Sequence, residues 1–350
     1  MKNQPNIFNY ATSELSQDAF IAWLLSWSNK EYKTENKQLH QLGLDFLQSL
    51  LAKQNIVISE ISNLEIKTQF YKIDVFVSFQ MDNKHYGVII EDKVHTIDHN
   101  NQLERYINKI KELNKETVIV PVYFKTGYQV NHASIIENGY HHYTVKDLLN
   151  VLTHEKVLQL NNDVLTQYHS YILGKEIEFD DAEKDASLYL TASLSEWRWW
   201  TCVRFFHDYK QHFNAGWGSV GNKREPLLAF WYGGNHFSMR DVENDKLMKL
   251  EIYSDVQFSR GKIKISFRIG LKGKHQKNNK NRNKIYNYFK PYLEKENISH
   301  KKAHFRKAKD TMKLVEIIEI NNQSYYTDLI SILEKHELIC QKFAKEYNDA

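Results

Sequence analysis

The sequence predicts a mixed α/β fold, because helical and strand-like hydrophobic patterns follow one another along its first 155 residues. Apolar residues recur at helical spacing in residues 12–28 and again in residues 38–54. The pattern then becomes strand-like in residues 71–79 and 86–94, and a polar segment of turn-forming residues separates the two. We therefore expect two helices followed by a meander of strands.

The same patterns predict the other elements of this half. Residues 56–59 and 64–70 are rich in β-forming side chains, so further strands are expected before the meander. Residues 99–114 return to helical spacing, and residues 117–124 form an apolar run of strand length. A short helix is expected over residues 144–152. The predicted order is helices, strands, helix, strand, helix.

An acidic stretch at residues 176–181 suggests a domain boundary, which we place between residues 178 and 179. The two predicted domains therefore span residues 1–178 and 179–350. The second is expected to be an α+β domain that begins with a long helix over residues 185–212. Its strands are expected at residues 227–232, 247–258, 262–271 and 313–320, and its further helices at residues 283–295 and 326–347.

Length and composition exclude several classes of protein. With 350 residues, 42% hydrophobic and 26% charged, the chain has enough apolar residues for a buried core, which excludes wholesale disorder. Two cysteines cannot form a disulfide scaffold or a four-thiolate zinc site, and they fit a reducing cytoplasm. No secretory signal pattern and no apolar run of roughly 18–20 residues is present, so we expect a cytoplasmic protein without a membrane partner.

The positive charge is concentrated in one segment. The net charge of +4 divides into −5 for residues 1–180 and +9 for residues 181–350. Residues 260–310 contain 17 Lys and Arg against three acids. A run of charge is usually only a solvated face, but this one-sided segment favours phosphate binding through counterion release. The predicted nucleic-acid-binding residues are Lys272, Lys274, Lys277, Lys280, Arg282 and Lys284.

Three charged residues interrupt the apolar strands of the meander: Asp74, Glu91 and Lys93. Because side chains alternate along a strand, Glu91 and Lys93 are expected on one face and Asp92 on the other. A turn centred on Asp82 and Asn83 places Asp74 opposite Glu91, whereas a turn shifted by one residue places Asp74 opposite Lys93. Either register predicts one cluster.

The chemistry of that cluster points to phosphodiester hydrolysis assisted by a metal. Two adjacent carboxylates in apolar surroundings repel each other and require a cation or a proton. Carboxylate oxygens suit Mg²⁺ (or Mn²⁺), and a neighbouring lysine can orient water or stabilise charge on the phosphate. The alternative is a structural ion pair between Asp74 and Lys93, with Glu91 at a strand edge.

The residues Ile73 and Asp74, followed by Glu91, Asp92 and Lys93, resemble the D…(D/E)-x-K signature of the PD-(D/E)XK nuclease superfamily. Isoleucine stands where the superfamily's name has proline. The element order also resembles the restriction-endonuclease-like αβββαβ core. The next helix carries Gln102 and Tyr106, which match the Q-x-x-x-Y motif of the RecB-like branch.

The resemblance implies a role for each residue. Asp74 and Glu91 are expected as metal ligands, the backbone carbonyl of Asp92 as a third, and Lys93 as the residue that orients the base. Gln102 and Tyr106 are expected to line the active site and contact the nucleic acid. The superfamily's acid from the first helix corresponds to Glu14 or to Asp18; acids there also favour the helix dipole, a purely structural role.

The sequence therefore predicts a metal-dependent nuclease domain followed by a basic domain that grips the substrate. DNA is the expected substrate and RNA the alternative, in restriction, phage defence or repair. A catalytically silent nucleic-acid-binding protein and an interaction module remain as rival interpretations. The sequence leaves the oligomeric state open.

Two further patterns resemble known binding motifs but lack residues that those motifs require. The glycine-rich segment 216–224 lacks the Ser or Thr that follows the lysine of a phosphate-binding loop, which excludes an ATPase. His95 and His99 lack further zinc ligands at ordinary spacing, so we do not expect a zinc site there. Aromatic residues are dense in residues 197–232, and we expect most of them to form the core of the second domain. The alternative is that residues 198–200 and 230–232 provide platforms on which unpaired bases stack.

Overall fold

The chain forms two compact units, Met1–Ala182 and Glu183–Ala350. The computed structural model describes residues 5–11, 13–93, 102–220, 227–271, 279–304, 311–317, 321 and 323–348. Each unit contains its own β-sheet and its own hydrophobic core. The helix Asp163–Ser187 runs through the division between the units and contains the predicted boundary.

The first unit is a mixed α/β structure, as the sequence predicts. Two helices come first, three strands follow, and helices and strands then alternate. The elements are α1 Glu14–Ser26, α2 Lys37–Leu51, β1 Ile61–Phe70, β2 Ile73–Met81, β3 Lys84–Lys93, α3 Gln102–Leu113, β4 Val118–Lys125, α4 Ala133–Glu137, β5 His141–Thr144, α5 Val145–Val151, α6 His154–Leu160 and α7 Asp163–Ser187.

The five strands of this unit form one mixed sheet in the order β1-β2-β3-β4-β5. The strands β1, β2 and β3 are antiparallel, whereas β3, β4 and β5 run parallel. Parallel neighbours end at the same edge of a sheet, so Lys93 at the end of β3 lies beside Lys125 at the end of β4. This edge carries the predicted cluster.

Apolar side chains cover both faces of this sheet. One core cluster joins α1, α2 and the later helices to one face, and a smaller cluster packs α3 and α4 against the other. The central strands β3 and β4 are therefore buried on both faces, which explains their nearly continuous apolar sequences.

The hairpin between β2 and β3 closes with a two-residue turn. Met81 pairs with Lys84, and the turn residues Asp82 and Asn83 both have positive φ angles, 51° and 58°. Positive φ at both central positions is the signature of a type I′ turn, which Asp and Asn tolerate well. Of the two predicted registers, the one with Asp74 opposite Glu91 is therefore present.

The second unit contains a six-stranded antiparallel sheet in the order β10-β11-β9-β8-β7-β6. Two long helices, α9 and α10, supply the side chains that form its core with one face of the sheet. No helix in the described ranges combines the length and apolar character needed to cross a membrane. The elements are α8 Trp199–Tyr209, β6 Gly216–Val220, β7 Leu227–Arg240, β8 Leu247–Ser259, β9 Lys262–Leu271, α9 Asn279–Lys295, β10 His300–Lys302, β11 Thr311–Ile317 and α10 Tyr326–Asn348.

The structure corrects the strand predicted at residues 56–59, which form a loop. The side chain of Gln48 forms hydrogen bonds with backbone groups that would otherwise pair with a neighbouring strand. Its Nε2 donates to the carbonyl of Ile56 at 3.0 Å, and its Oε1 accepts from the backbone N–H of Ile58 at 2.7 Å. A side chain of the preceding helix, α2, thus satisfies these backbone groups.

The long helix predicted over residues 185–212 is also wrong, because the segment breaks into short pieces before α8. Ser193 and Glu196 form a capping box around a single helical turn, and Trp197 has an extended backbone. The acidic residues 176–181 lie inside α7, where Lys175 pairs with Glu178 at 2.7 Å. Acid-rich sequence here extends a helix, because Glu and Lys are good helix formers and support one another along its surface.

Gly43 allows α1 and α2 to pack closely, and we predict that Gly43→Ala destabilises the protein. A Cβ at this position would lie 2.8 Å from the Leu24 carbonyl oxygen and 2.8 Å from the Ser28 nitrogen, both backbone atoms. Urea denaturation should show a loss of about 1–3 kcal/mol. The matched control is Gly174→Ala in α7, where no described atom lies within 4 Å, and it should gain up to about 1 kcal/mol. Equal stability of the two variants would contradict this packing.

Candidate active site

The edge where β2 and β3 meet brings Asp74 and Glu91 together. The last ladder pair before them is Val75 with Ile90, so Asp74 and Glu91 occupy the next opposite positions. Oδ2 of Asp74 accepts a hydrogen bond from the backbone N–H of Asp92 at 2.9 Å. This contact ties the carboxylate of one strand to the backbone of the other.

Lys93 is the cation of this cluster. Its Nζ donates to Oε1 of Glu91, to the carbonyl oxygen of Asp92 at 3.1 Å, and lies 3.6 Å from Oδ2 of Asp74. The side chain of Lys93 is largely buried, and that of Glu91 is fully buried. The ammonium group therefore bridges the two carboxylates in a site that is mostly removed from water.

The helix α3 adds Gln102 and Tyr106 to the same site. Nε2 of Gln102 donates to Oε1 of Glu91 at 2.7 Å and to the hydroxyl of Tyr106 at 2.7 Å. Residues four apart on a helix share a face, so both side chains point from α3 towards Glu91. The structure thus brings Asp74, Glu91, Lys93, Gln102 and Tyr106 together.

Burial controls the protonation of this site. It raises the pKa of Glu91 to about 8, and the negative charge of Asp74 acts in the same direction, while Lys93 opposes both. Burial alone would lower the pKa of Lys93, but Glu91 and Asp74 raise it well above its ordinary value. Lys93 therefore stays protonated at neutral pH, and the carboxyl pair is poised to hold a proton or a cation.

Both candidate acids of α1 lie near the site, but Asp18 is the more closely connected. Asp18 is buried, and Nε2 of Gln69 reaches both its Oδ2, at 3.4 Å, and Oδ1 of Asp74, at 3.3 Å. Burial, followed by the charge of Asp74, raises the pKa of Asp18 to about 7. Glu14 is partly exposed and acts through its charge on Lys93 and Asp18.

Asp92 points away from Glu91 and Lys93, as strand alternation predicts. Its Oδ1 accepts from Nε2 of Gln17 at 2.5 Å, and Oε1 of Gln17 accepts from the hydroxyl of Thr126 at 3.3 Å. Burial and the charge of Asp18 raise the pKa of Asp92 well above its ordinary value. The side chain of Asp92 thus anchors α1, while its backbone carbonyl faces Lys93.

Lys125 is a second buried lysine at this edge, and sequence reasoning missed it. It pairs with Lys93 across the parallel strands β3 and β4 and is almost completely buried. Burial lowers the pKa of Lys125 to about 8, although Glu14 and Asp92 oppose this shift. Gln17 and Gln69 were missed as well, because no spacing rule connects them to Asp92 or Asp74.

The carboxylates chemically suit a hard divalent cation. Oε2 of Glu91, Oδ2 of Asp92 and Oδ1 of Asp18 are buried and find no hydrogen-bond partner among the described residues. Unsatisfied buried carboxylate oxygens are costly, and a cation would satisfy them. Within the described ranges, however, no three His, Cys, Asp or Glu side chains converge into a ready-made metal site. Lys93 instead occupies the position beside Glu91.

The predicted nucleic-acid-binding residues lie in or before α9. Lys280 is exposed and pairs with Glu243 at 3.3 Å, and Lys284 is partly exposed. Arg282 is buried and donates to the backbone carbonyl of Lys313, so its guanidinium has a structural contact. Lys272, Lys274 and Lys277 lie outside the described residues, as do His95 and His99.

The aromatic residues of the second unit mostly form its core, as predicted. Trp197, Phe230 and Tyr232 are buried, whereas Trp231 is 39% exposed. The described part of the glycine-rich segment, Gly216–Val220, is the edge strand β6 and not a loop that opens a helix. This observation agrees with the exclusion of a phosphate-binding loop.

Comparison with known families bears on the first unit. Residues 5–134 match the family model of the PD-(D/E)XK nuclease superfamily. The matched segment runs from before α1 into α4 and contains every residue of the site at the β2–β3 edge. This match supports nuclease activity for the PD-(D/E)XK-like segment, and the RecB-like branch stays a prediction. Searches of curated proteins and of solved structures gave no match.

The raised pKa of Glu91 predicts how this PD-(D/E)XK-like site affects stability. A carboxyl group whose pKa rises from 4.5 to about 8 on folding destabilises the fold increasingly as pH rises through that window. With EDTA present, Glu91→Gln should gain stability over the wild type by more than about 1 kcal/mol between pH 5 and 8. The control Glu155→Gln removes an exposed acid on α6, and its stability relative to the wild type should not change over the same pH range. A flat stability difference for Glu91→Gln would contradict the burial effect.

Proposed function

We propose that this protein is a metal-dependent nuclease that hydrolyses DNA phosphodiester bonds. The observation that carries the proposal is the convergence of Asp74, Glu91 and Lys93 at one sheet edge. Two opposed carboxyl groups and a lysine inside an apolar sheet lower the stability of the fold, because burying like charges is costly. A functional role therefore explains them better than a structural one. The family match over residues 5–134 supports the same reaction class.

The residues suited to hold Mg²⁺ or Mn²⁺ are Asp74 and Glu91, with the carbonyl of Asp92. Either Asp18 or Glu14 would add an acid from α1, and the contact through Gln69 favours Asp18. When bound, such an ion lowers the pKa of water and neutralises charge on the phosphate. Oε2 of Glu91 is buried and has no hydrogen-bond partner among the described residues, so a cation would satisfy it.

Lys93 acts as a hydrogen-bond donor in this proposal. Because its pKa is raised, it holds its proton at neutral pH and cannot serve as a general base. Its ammonium group lies between the carboxylates, where it would orient an attacking water and stabilise charge that develops on the phosphate. Gln102 fixes the orientation of Glu91 and of the Tyr106 hydroxyl.

The choice of DNA rests on charge and on the superfamily resemblance. Residues 181–350 carry a net charge of +9, and the strongest positive run precedes and enters α9. Such a run attracts the phosphate backbone without reading its sequence. Restriction, phage defence or repair in the cytoplasm are the settings we propose. A catalytically silent DNA-binding protein would share the charge but show no turnover.

We predict that the purified protein cleaves DNA when Mn²⁺ or Mg²⁺ is added and is inactive in EDTA. Asp74→Ala and Lys93→Ala should each lower the cleavage rate by about 10²-fold or more, because each removes a group that meets developing charge. The measurement is single-turnover cleavage of labelled single-stranded DNA, duplex DNA and RNA. Both variants should still bind the substrate.

The control for this experiment is Lys156→Ala, which removes an exposed lysine that pairs with Asp45 in the same unit. This variant should cleave at the wild-type rate. If the wild type is inert on all three nucleic acids with either metal, the enzyme proposal fails and the silent binding protein is favoured.

A second prediction concerns the basic run. Changing Lys272, Lys274, Lys277 and Lys280 to Gln should weaken DNA binding and reduce the slope of log affinity against log salt by about 1 for each lost phosphate contact. The control changes four exposed lysines of the same unit that lie outside residues 260–310: Lys249, Lys335, Lys342 and Lys345. Equal slopes for the two quadruple variants would overturn the gripping role of the basic run.

A further inference from the structure

The turn between β1 and β2 contains residues that rarely adopt the positive φ angles found there. Phe70 pairs with Ile73, so Tyr71 and Lys72 are the two central residues of the hairpin. Their φ angles are 51° and 70°, and Gln69 just before them has a φ of 54°. Large L-amino acids rarely adopt this left-handed region, and each such residue carries backbone strain.

Two other two-residue hairpin turns of the chain have a residue that tolerates positive φ at one or both central positions. The β2–β3 turn places Asp82 and Asn83 at positive φ, and the β8–β9 turn places Arg260 and Gly261 there. Asn and Gly tolerate positive φ at little cost. The chain therefore makes ordinary type I′ turns elsewhere and carries two bulky residues only in the β1–β2 turn, among these three hairpins.

This strained turn adjoins the carboxylates of the site. Asp74 follows Lys72 by two residues, and Gln69 reaches the carboxylates of both Asp74 and Asp18. Strained backbone that persists beside reactive groups suggests that the side chains it presents are needed there.

Tyr71 is the side chain that the turn presents. Its ring is 50% exposed, and the ammonium group of Lys109 on α3 lies 4.9 Å from its centroid. The cation–π contact fixes the ring, and half of its surface remains open to solvent. Lys72 beside it is exposed and basic. An open aromatic face next to a lysine suits a nucleotide, because the base stacks while the phosphate meets the positive charge.

We propose that Tyr71 is a substrate-positioning residue that stacks on an unpaired base next to the scissile phosphate. The strained turn places Tyr71 three residues before Asp74, on the segment that leads into the carboxylate cluster. This inference rests on the proposed nuclease function and specifies how the substrate strand is held. The expected substrate is single-stranded DNA, or a strand end opened from a duplex. In an intact duplex both faces of a base are covered by its stacked neighbours, so Tyr71 could not stack on it.

The test uses a single-stranded DNA 20-mer that carries the fluorescent base 2-aminopurine. With EDTA present, binding to the wild type should quench its fluorescence by stacking. Tyr71→Ala should lose most of the quench, whereas Tyr71→Phe should keep it because the ring remains. With Mn²⁺, Tyr71→Ala should raise KM about tenfold with a smaller change in kcat. The control Tyr32→Ala removes another exposed tyrosine of the same unit, beyond the C-terminal end of α1, and should change neither quantity.

A second pair of variants separates stacking from folding. Tyr71→Asn combined with Lys72→Gly gives the β1–β2 turn a favourable sequence, so the midpoint of thermal unfolding should rise by about 2–4 °C while KM rises. Asp82→Asn combined with Asn83→Gly makes the matched change in the β2–β3 turn and should leave KM unchanged. A turn that is only structural would give stable variants with wild-type KM in both cases.

The outcomes distinguish this inference from the proposed function. If the wild type cleaves DNA and Tyr71→Ala retains the quench and the KM, the stacking role is wrong and the nuclease proposal stands. If the wild type binds and quenches but never cleaves, and Tyr71→Ala loses the quench, the stacking role stands and the nuclease proposal fails. A wild type that neither quenches nor cleaves overturns both.

Discussion

The burial of Glu91 beside the carboxylate of Asp74 is the constraint on which the rest of the site depends. Burial and the negative charge of Asp74 both disfavour the ionised form of Glu91 and raise its pKa to about 8. Lys93 lies between the two carboxyl groups and opposes this shift, and Gln102 holds Glu91 in place from α3. The site still lacks one hydrogen-bond or metal partner, since Oε2 of Glu91 has no hydrogen-bond partner among the described residues.

The surrounding fold can be understood as the support for that cluster. The parallel alignment of β3 and β4 places Lys125 beside Lys93, and α1 covers the edge with Asp18 and Gln17. Two lysines and several acids thus share a small volume whose ionisation is coupled. Burial on both faces keeps water from screening these charges, so each one strongly influences its neighbours.

Local patterns in the sequence predicted much of this arrangement. Turn chemistry limited the β2–β3 hairpin to two registers, and the structure has the one in which Asp82 and Asn83 adopt the left-handed backbone of a two-residue turn. The pairing of Gln102 with Tyr106 followed from helix geometry, because residues four apart share a face. Signals of this kind depend only on neighbouring residues, so a single sequence contains them.

Contacts between distant segments could not be predicted in the same way. Gln17 meets Asp92 across 75 residues, and nothing in the neighbourhood of either residue indicates the other. A closer contact was missed as well: the side chain of Gln48 bonds the backbone of residues 56 and 58, where a strand was expected. The spacing of hydrophobic residues does not indicate such side-chain hydrogen bonds. The broken helix before α8 depends on a capping box around Ser193, whose sequence signal is weaker than the helical periodicity that surrounds it.

The most direct test of the central claim is calorimetric titration of the protein with Mn²⁺ at pH 7 in buffers of different ionisation enthalpy. If a buried, largely protonated carboxyl group receives the ion, binding should release at least about one proton per ion, and Glu91→Gln should lower that release by about one proton. Mn²⁺ that binds without proton release, or fails to bind the wild type, would contradict the account of the carboxyl pair as a site poised for a divalent cation.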